Sequence, residues 1–585
     1  MYEEEQALVG RDAWKERTLI DLVTFRRLTR GEQPIFLFLG DGATVTASLS
    51  AARLHDEAGL VAAHLSRTLP SGARVLLLFE NGLDYIVAFF ACLYAGLVPV
   101  SGAYPTSIGA RERFTFLLRD SEAQGVIGLR ETLRLFHEPD PTSQDRIRWI
   151  PMEAARNARS PLSTPVACGP ETLALVQYSS GSTESPKGVC LTHRNICYNI
   201  HAQLLSFRYQ DHDTGLSWLP FTHDMGLVGA VLPALAAGNP FYFMAPEKFI
   251  ERPARWLEAI SRYGVTISGG PDFAYRYCAR LAGSDVSSAW DLSRWTIAFN
   301  GSETISADTL SSFATRYAAQ GFRPEAFYSC YGLAENALLV TSGVKGRGVG
   351  LACFDRAALG LGRAVRTGEK IEPGNVTVLA SCGTAREEQS VHIADPDTGA
   401  FLPDDTVGEI WISGPSVSIG YLGNALRNAR SFVEKDGRRY LRSQDSGFIH
   451  QGELFVVGRL SERFELRGSI YYTNDIALSL GQAFDGALCV VAPPTGPENP
   501  VPSLIVEQHG AVDPSRLRSI LQTVMRSYRI DEFAYFLIRK GFVARTPSGK
   551  VRADLTLAII LKENSAILCS GDTQSPVASG PEQLI

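Results

Sequence analysis

The sequence predicts an α/β protein in two parts: a large N-terminal α/β domain with layered sheets and a smaller α+β domain at the C-terminal end. Strand, helix and strand alternate at short spacing, as at 75–79, 84–95 and 98–100. That alternation is the pattern of helices layered on a sheet. The run Val75-Leu-Leu-Leu-Phe79 is apolar at every position, as a parallel strand covered on both faces requires. A chain of 585 residues also exceeds what one hydrophobic core holds.

Residues 18–28 place apolar side chains at helical spacing and predict a helix packed on the surface of the large domain. Residues 34–39 and 44–49 follow as strands, then 51–69 as a helix with Leu54, Leu60, Ala63 and Leu65 on its apolar stripe. The first unit closes on the proline turn Ala103-Tyr-Pro-Thr106. A helix at 111–123 and a strand at 125–129 come next, and 153–172, rich in Pro, Ala and Ser, reads as a loop. Thr192-His-Arg-Asn195 supplies an N-cap for a helix through Leu205. Strands are expected at 265–268, 296–299 and 454–457, and an edge strand at 408–414. Beyond 462, strands at 487–491 and 503–507 combine with a helix at 514–527, and 568–585 reads as a disordered tail.

Composition narrows the function classes. The chain is 45% hydrophobic and 20% charged, as in soluble globular proteins. A formal net charge of -6 offers no attraction for nucleic acid or anionic membrane. Two long uncharged runs, 85–104 and 225–246, reach the length of a membrane span. Each is interrupted, by Gly96 and Pro99 or by Gly238, Asn239 and Pro240, and reads as helix, turn and strand; no membrane span is expected. The ten cysteines are scattered without a CxxC pair, and Met1-Tyr-Glu-Glu-Glu lacks the form of a signal peptide, so a reduced, cytoplasmic protein is expected.

The chemistry concentrates in Tyr178-Ser-Ser-Gly-Ser-Thr-Glu-Ser-Pro-Lys-Gly-Val189. Small residues let backbone N–H groups approach phosphate oxygens, the hydroxyls add donors, and Lys187 adds a charge. The spacing is not that of a P-loop. The string Ser-Ser-Gly-Ser-Thr-x-x-Pro-Lys-Gly resembles the phosphate loop of the adenylate-forming superfamily. The resemblance extends over roughly residues 15–560 and implies the adenylate-forming enzyme fold. In detail the chain looks like a fatty acyl-AMP ligase. Trp218-Leu-Pro-Phe-Thr-His-Asp-Met-Gly226, Gly269-Gly-Pro-Asp-Phe-Ala-Tyr275 and the Ala-Tyr-Pro turn are similar to strings of that family.

Several roles are carried by this resemblance alone. Ser179, Ser180, Gly181, Ser182, Thr183 and Lys187 would bind the phosphates of ATP. Gly301, Ser302, Glu303 and Tyr331 would hold adenine, and Asp445 and Arg459 the ribose. Glu335, with Thr183, would hold Mg²⁺. His223 would lie near the substrate carboxylate, and Asp224, Met225, Gly269 and Gly270 would line the acyl site. Lys550, in Arg545-Thr-Pro-Ser-Gly-Lys-Val-Arg552, would be the catalytic lysine.

Domain limits follow as 1–461 for the large adenylation domain, with an insert at about 336–380, and 462–567 for a small mobile domain hinged at Glu462. In fatty acyl-AMP ligases the extra segment packs on the large domain and restrains the smaller one. The substrates implied are ATP and a fatty acid. The partner implied is an acyl carrier protein acting in trans, since the chain has no Asp-Ser-Leu carrier motif of its own. Four departures stand out: Gln444 for a usual Gly, Ser461 before the hinge, and Ile470 and Thr473 where the family favours Asn and Pro. They keep open a non-catalytic acyl- or nucleotide-binding relative; the nearer alternative is a fatty acyl-CoA synthetase, against which the insert argues.

Overall fold

The computed structural model describes residues 17–102, 104, 110–136, 147–162, 164–179, 186–368, 376–386, 388–466, 469–484, 487–494, 501–508, 514–528, 530, 532–545, 551–562 and 566–572. Two large sheets dominate the first part of the chain. In the nine-stranded sheet, Phe327–Gly332, Ile297–Asn300, Ile267–Gly270, Gly215–Ser217, Phe241–Met244 and Pro34–Leu39 run parallel. Antiparallel strands Val45–Ser50 at one end and Leu339–Ser342 then Thr384–Ala385 at the other complete it. In the seven-stranded sheet, Arg74–Leu78 lies between Val98–Ser101 and Gly125–Gly128, parallel to both. Leucines therefore fit at 76, 77 and 78, because helices or the second sheet cover both faces.

The helices Ala51–Thr68 and Leu83–Tyr94 lie between the two sheets. One apolar cluster joins Phe36 and Phe243 of the first sheet, Leu77 and Leu175 of the second, and Leu54 and Phe89 of the helices. Each such large side chain taken wholly from water is worth about 1.5–3 kcal/mol. Both long apolar runs resolve as expected: Leu83–Tyr94 leads into Val98–Ser101, and the helical stretch from Leu227 to Ala237 leads through left-handed Gly238 into Phe241–Met244. No helix among the described residues is long and apolar enough to cross a membrane. Thr192 caps the helix His193–Phe207 through a capping box with Asn195.

A five-stranded sheet, built on the long strand Arg438–His450, closes the first part. Gly408–Ser413 was expected at an edge, yet it pairs on one side with Ser390–Ala394 and on the other with Arg438–His450. The buried Glu409 carboxylate accepts from Arg442, Trp411 and Gln444, so the charge is satisfied inside the sheet.

After the turn Leu460–Glu462 the chain builds its own four-stranded sheet. Alternate residues of its strands face two cores: Val491, Leu504, Val506 and Leu537 meet Ile476, Leu480 and Leu521, while Val490, Ile505 and Ile538 meet Leu557 and Ile560. The fourth strand, Ile567–Asp572, corrects the expected tail: it pairs antiparallel with Ala534–Arg539. Residues 573–585 of that expectation lie outside the described residues.

The insert is partly integral sheet, since Leu339–Ser342 belongs to the nine-stranded one. The addition proper is the hairpin Leu351–Asp355 and Val376–Ala380 with the short helix Arg356–Gly360. Phe354, Leu359 and Leu379 of this addition pack with Phe448, Phe455 and Val457 of the five-stranded sheet and with Tyr472, beyond the hinge.

Candidate active site

A cavity of about 1380 Å³ opens where the sheets and the C-terminal part meet. Parallel strands Ile297–Asn300 and Phe327–Gly332 both end at it, as ligand sites in open α/β sheets do. Of the residues expected to bind nucleotide, Lys187, Gly301, Ser302, Glu303, Tyr331, Glu335, Asp445 and Arg459 line it. Of those expected near the acid, His223, Asp224 and Met225 line it, as does Glu462 at the hinge.

Ser179 ends the strand Leu173–Ser179 and faces Lys187 across an antiparallel pair. Ser180, Gly181, Ser182 and Thr183 lie between them, outside the described residues. Lys550 is also outside them, but its flanking residues Arg545 and Val551 form a β-bridge and both line the cavity.

Lys187 lies over the Tyr421 ring, 5.9 Å from its centre, and the Tyr421 hydroxyl donates to Glu335 Oε1 at 2.8 Å. Burial, reinforced by the Glu335 carboxylate, drives the Tyr421 phenol far above its ordinary range, so it stays a donor. Tyr421 as the link between cation and carboxylate is visible in three dimensions alone. Among the described residues no group of three or more His, Cys, Asp or Glu could hold a metal. One carboxylate together with phosphate oxygens is, however, a usual magnesium arrangement, and Glu335 fits it.

Asp445 is buried and accepts from the Tyr331 hydroxyl at 2.8 Å. Arg459 Nε stands 3.3 Å from its other oxygen, and that carboxylate holds the guanidinium firmly charged. Two carboxylate oxygens backed by a cation can accept both hydroxyls of a cis-diol. The substitution at Gln444 is accommodated: the residue takes the left-handed φ of 63° that favours glycine. Its side-chain Nε2 donates to Glu409 Oε1 at 2.7 Å, which offsets the backbone strain.

Gly301 packs its Cα against the Cys330 carbonyl, where a Cβ would come within 2.6 Å, and Ser302 follows at φ 73°. This turn and Tyr331 both line the cavity. Asp272, also unassigned from sequence, ties the following loop down. Its buried carboxylate accepts from Asn300 Nδ2 at 3.1 Å, Ser306 N–H at 3.2 Å and Thr309 Oγ1 at 2.9 Å. Asp272→Ala would leave these donors unmatched at about 1–3 kcal/mol each. A lower thermal midpoint and a raised KM for ATP are expected; an unchanged KM would show that another contact holds the loop.

His223 caps the short helix Asp224–Gly226. Its Nδ1 lies 2.6 Å from Asp224 Oδ1. Nδ1 also accepts from Met225 N–H at 3.3 Å, so both contacts fall on this nitrogen and Nε2 is the one turned to a ligand. Gln177, missed from sequence, steadies this turn by donating to the Thr222 carbonyl at 2.8 Å.

Gly269 and Gly270 lie inside the strand Ile267–Gly270 and are not among the residues that line this cavity. A Cβ on Gly269 would meet the Phe299 ring at 2.5 Å and one on Gly270 the Trp218 ring at 2.7 Å. Both glycines make room for aromatic packing, and Phe299 is the side chain that reaches the cavity.

Strand ends, the flanks of the phosphate-loop string and the buried Asp445–Arg459 pair thus meet at one cavity. The AMP-binding enzyme family matches residues 30–422, and the chain belongs to it, within its fatty acyl-AMP ligase branch. The chain is 32% identical to the medium-chain-fatty-acid–[acyl-carrier-protein] ligase of Moorena producens, over 92% of this chain and 93% of that protein. A solved structure from work on fatty acyl-adenylate ligases of E. coli and L. pneumophila superposes with a TM-score of 0.83 at 28% identity, over 94% of this chain and 98% of the other. The L. pneumophila fatty acyl-adenylate ligase in complex with acyl adenylate and pyrophosphate gives 0.73 at 30% identity, over 95% and 98%.

Proposed function

We propose that the protein activates a fatty acid with ATP to an acyl-adenylate and passes the acyl group to the phosphopantetheine thiol of an acyl carrier protein in trans. The observation that carries this reading is the convergence of Lys187, Glu335, Asp445, Arg459 and His223 on one cavity. A carboxylate oxygen of the acid attacks the α-phosphorus of ATP; the bond to the bridging oxygen breaks and pyrophosphate leaves. Charge repulsion and positioning make up most of the barrier, so the residues supply cations and oriented donors.

Asp445 and Arg459 fix the ribose, the Gly301–Glu303 turn and Tyr331 flank the base, and Lys187 faces the outer phosphates. His223 Nε2 lies beside the acid. Lys550 supplies the charge for the attacking carboxylate and the bridging oxygen. Mg²⁺, when held by Glu335 with the phosphates and Thr183, would neutralise their charge. In the second half-reaction the thiol attacks the acyl carbonyl and AMP leaves, after the C-terminal part has swung about Glu462 so that Lys550 clears the site. The free thiols of the nine described cysteines suit a reducing compartment, the cytoplasm.

Pyrophosphate release with a fatty-acid mixture, followed by mass spectrometry of the adenylates, tests the reading. Acyl-AMP is expected; nucleotide binding without pyrophosphate release would leave a non-catalytic relative. Glu335→Gln is expected to raise the Mg²⁺ concentration needed for half-maximal rate. An unchanged magnesium titration would move the metal to other ligands.

A further inference from the structure

Gln203 is a polar group at the cavity that the proposed reaction does not use. It sits on the helix His193–Phe207, is 2% exposed and lines the cavity. Its Nε2 donates to Asn199 Oδ1 at 3.0 Å and to the Val228 carbonyl at 3.0 Å. Asn199 is held in turn: its Nδ2 donates to the Asn336 and Leu339 carbonyls, both at 2.9 Å, and its Oδ1 accepts from Leu339 N–H at 3.0 Å. A backbone carbonyl can only accept, so Val228 fixes which end of the Gln203 amide is nitrogen. The other end, Oε1, accepts from no donor among the described residues.

The surroundings are apolar. Phe207 stacks with Phe299 at 6.2 Å, and Leu338 packs at Gly229, where a Cβ would come within 2.8 Å. Met225 lines the same cavity, one helical turn before Val228. A fixed acceptor among these apolar neighbours sets orientation and specificity, because a ligand without a donor leaves it unpaired. Val228 lies four residues beyond Asp224 on the same helical stretch.

We propose that Gln203 Oε1 selects acids whose chain carries a hydrogen-bond donor within its reach, so that the preferred substrate class is the hydroxylated fatty acid. The inference rests on the acid-activating reading above and adds the substituent the pocket reads. Gln203 is here a specificity residue and takes no part in adenylation itself.

The test is pyrophosphate release by the full-length protein with ATP, Mg²⁺ and matched pairs of acids. Each pair is an unsubstituted fatty acid and a counterpart of the same length hydroxylated at successive mid-chain positions. The wild type is expected to favour at least one hydroxylated acid by about tenfold or more in kcat/KM. Gln203→Met, similar in size but without the acceptor, is expected to bring that ratio to one or below. A variant that merely folds poorly lowers both rates and keeps the ratio, so the ratio separates recognition from packing. Preference of the wild type for the unsubstituted acid at every position, or a ratio that survives Gln203→Met, overturns the proposal. No pyrophosphate release with any acid overturns the ligase reading, and this inference with it.

Discussion

Lys550→Ala is expected to lower adenylate formation about 10²–10³-fold, the usual loss when one preorganised charge-stabilising group is removed. ATP affinity should be nearly kept, because the lysine acts on charge that develops as the carboxylate attacks. The prediction rests on the string Arg545-Thr-Pro-Ser-Gly-Lys-Val-Arg552 and on the bridge between Arg545 and Val551 at the cavity wall. Single-turnover pyrophosphate release with the variant checks it, alongside ATP binding measured separately. Release at the wild-type rate would remove Lys550 from the mechanism.

Arg356→Ala is expected to raise acyl-CoA output about tenfold while leaving acyl-AMP formation largely intact. Arg356 belongs to the addition after Leu339–Ser342, and it grips the part of the chain beyond the hinge. Its Nε lies 3.3 Å from Asp475 Oδ2, and its guanidinium sits over the Tyr528 ring at 4.2 Å. On its own side it donates to Thr377 Oγ1 at 3.1 Å and to the Val376 carbonyl at 3.0 Å. A cation–π contact and a half-buried ion pair together amount to roughly 1–2 kcal/mol. Each ~1.4 kcal/mol of bias against rotation changes the thiol-competent population tenfold. Shortening the hairpin should act in the same direction and further, because it also removes Phe354, Leu359 and Leu379 from the core they share with Tyr472. Unchanged acyl-CoA output in both variants would show that the addition does not restrain the swing.

Much of this was legible because the chemistry sits in short strings whose spacing is set by the chain itself. The Thr192 cap is of that kind and stands where the sequence places it, and the carboxylates Glu335 and Asp445, named from such strings, both line the cavity. What escaped depends on partners distant in sequence. Ile567–Asp572 carries Ser and Gly and has little strand preference of its own, yet the neighbouring strand Ala534–Arg539 orders it. Gly269 and Gly270 look like ligand-approach glycines until Phe299 and Trp218 are seen filling their space. The strand Gly408–Ser413 is interior rather than at an edge because its two partners, Ser390–Ala394 and Arg438–His450, are set by the tertiary fold. Gln203 gave no signal at all: its meaning depends on Asn199 and Val228 holding one end of its amide.

The account's central claim is that this enzyme stops at the adenylate unless a carrier thiol is supplied. Product analysis of the intact protein with ATP, Mg²⁺, fatty acid and free CoA, run beside the same mixture with a phosphopantetheinylated carrier protein, tests it most directly. Acyl-AMP and pyrophosphate with little acyl-CoA in the first mixture, and acyl carrier protein in the second, are predicted. Acyl-CoA formed as fast as adenylate would contradict the account and make the protein a fatty acyl-CoA synthetase.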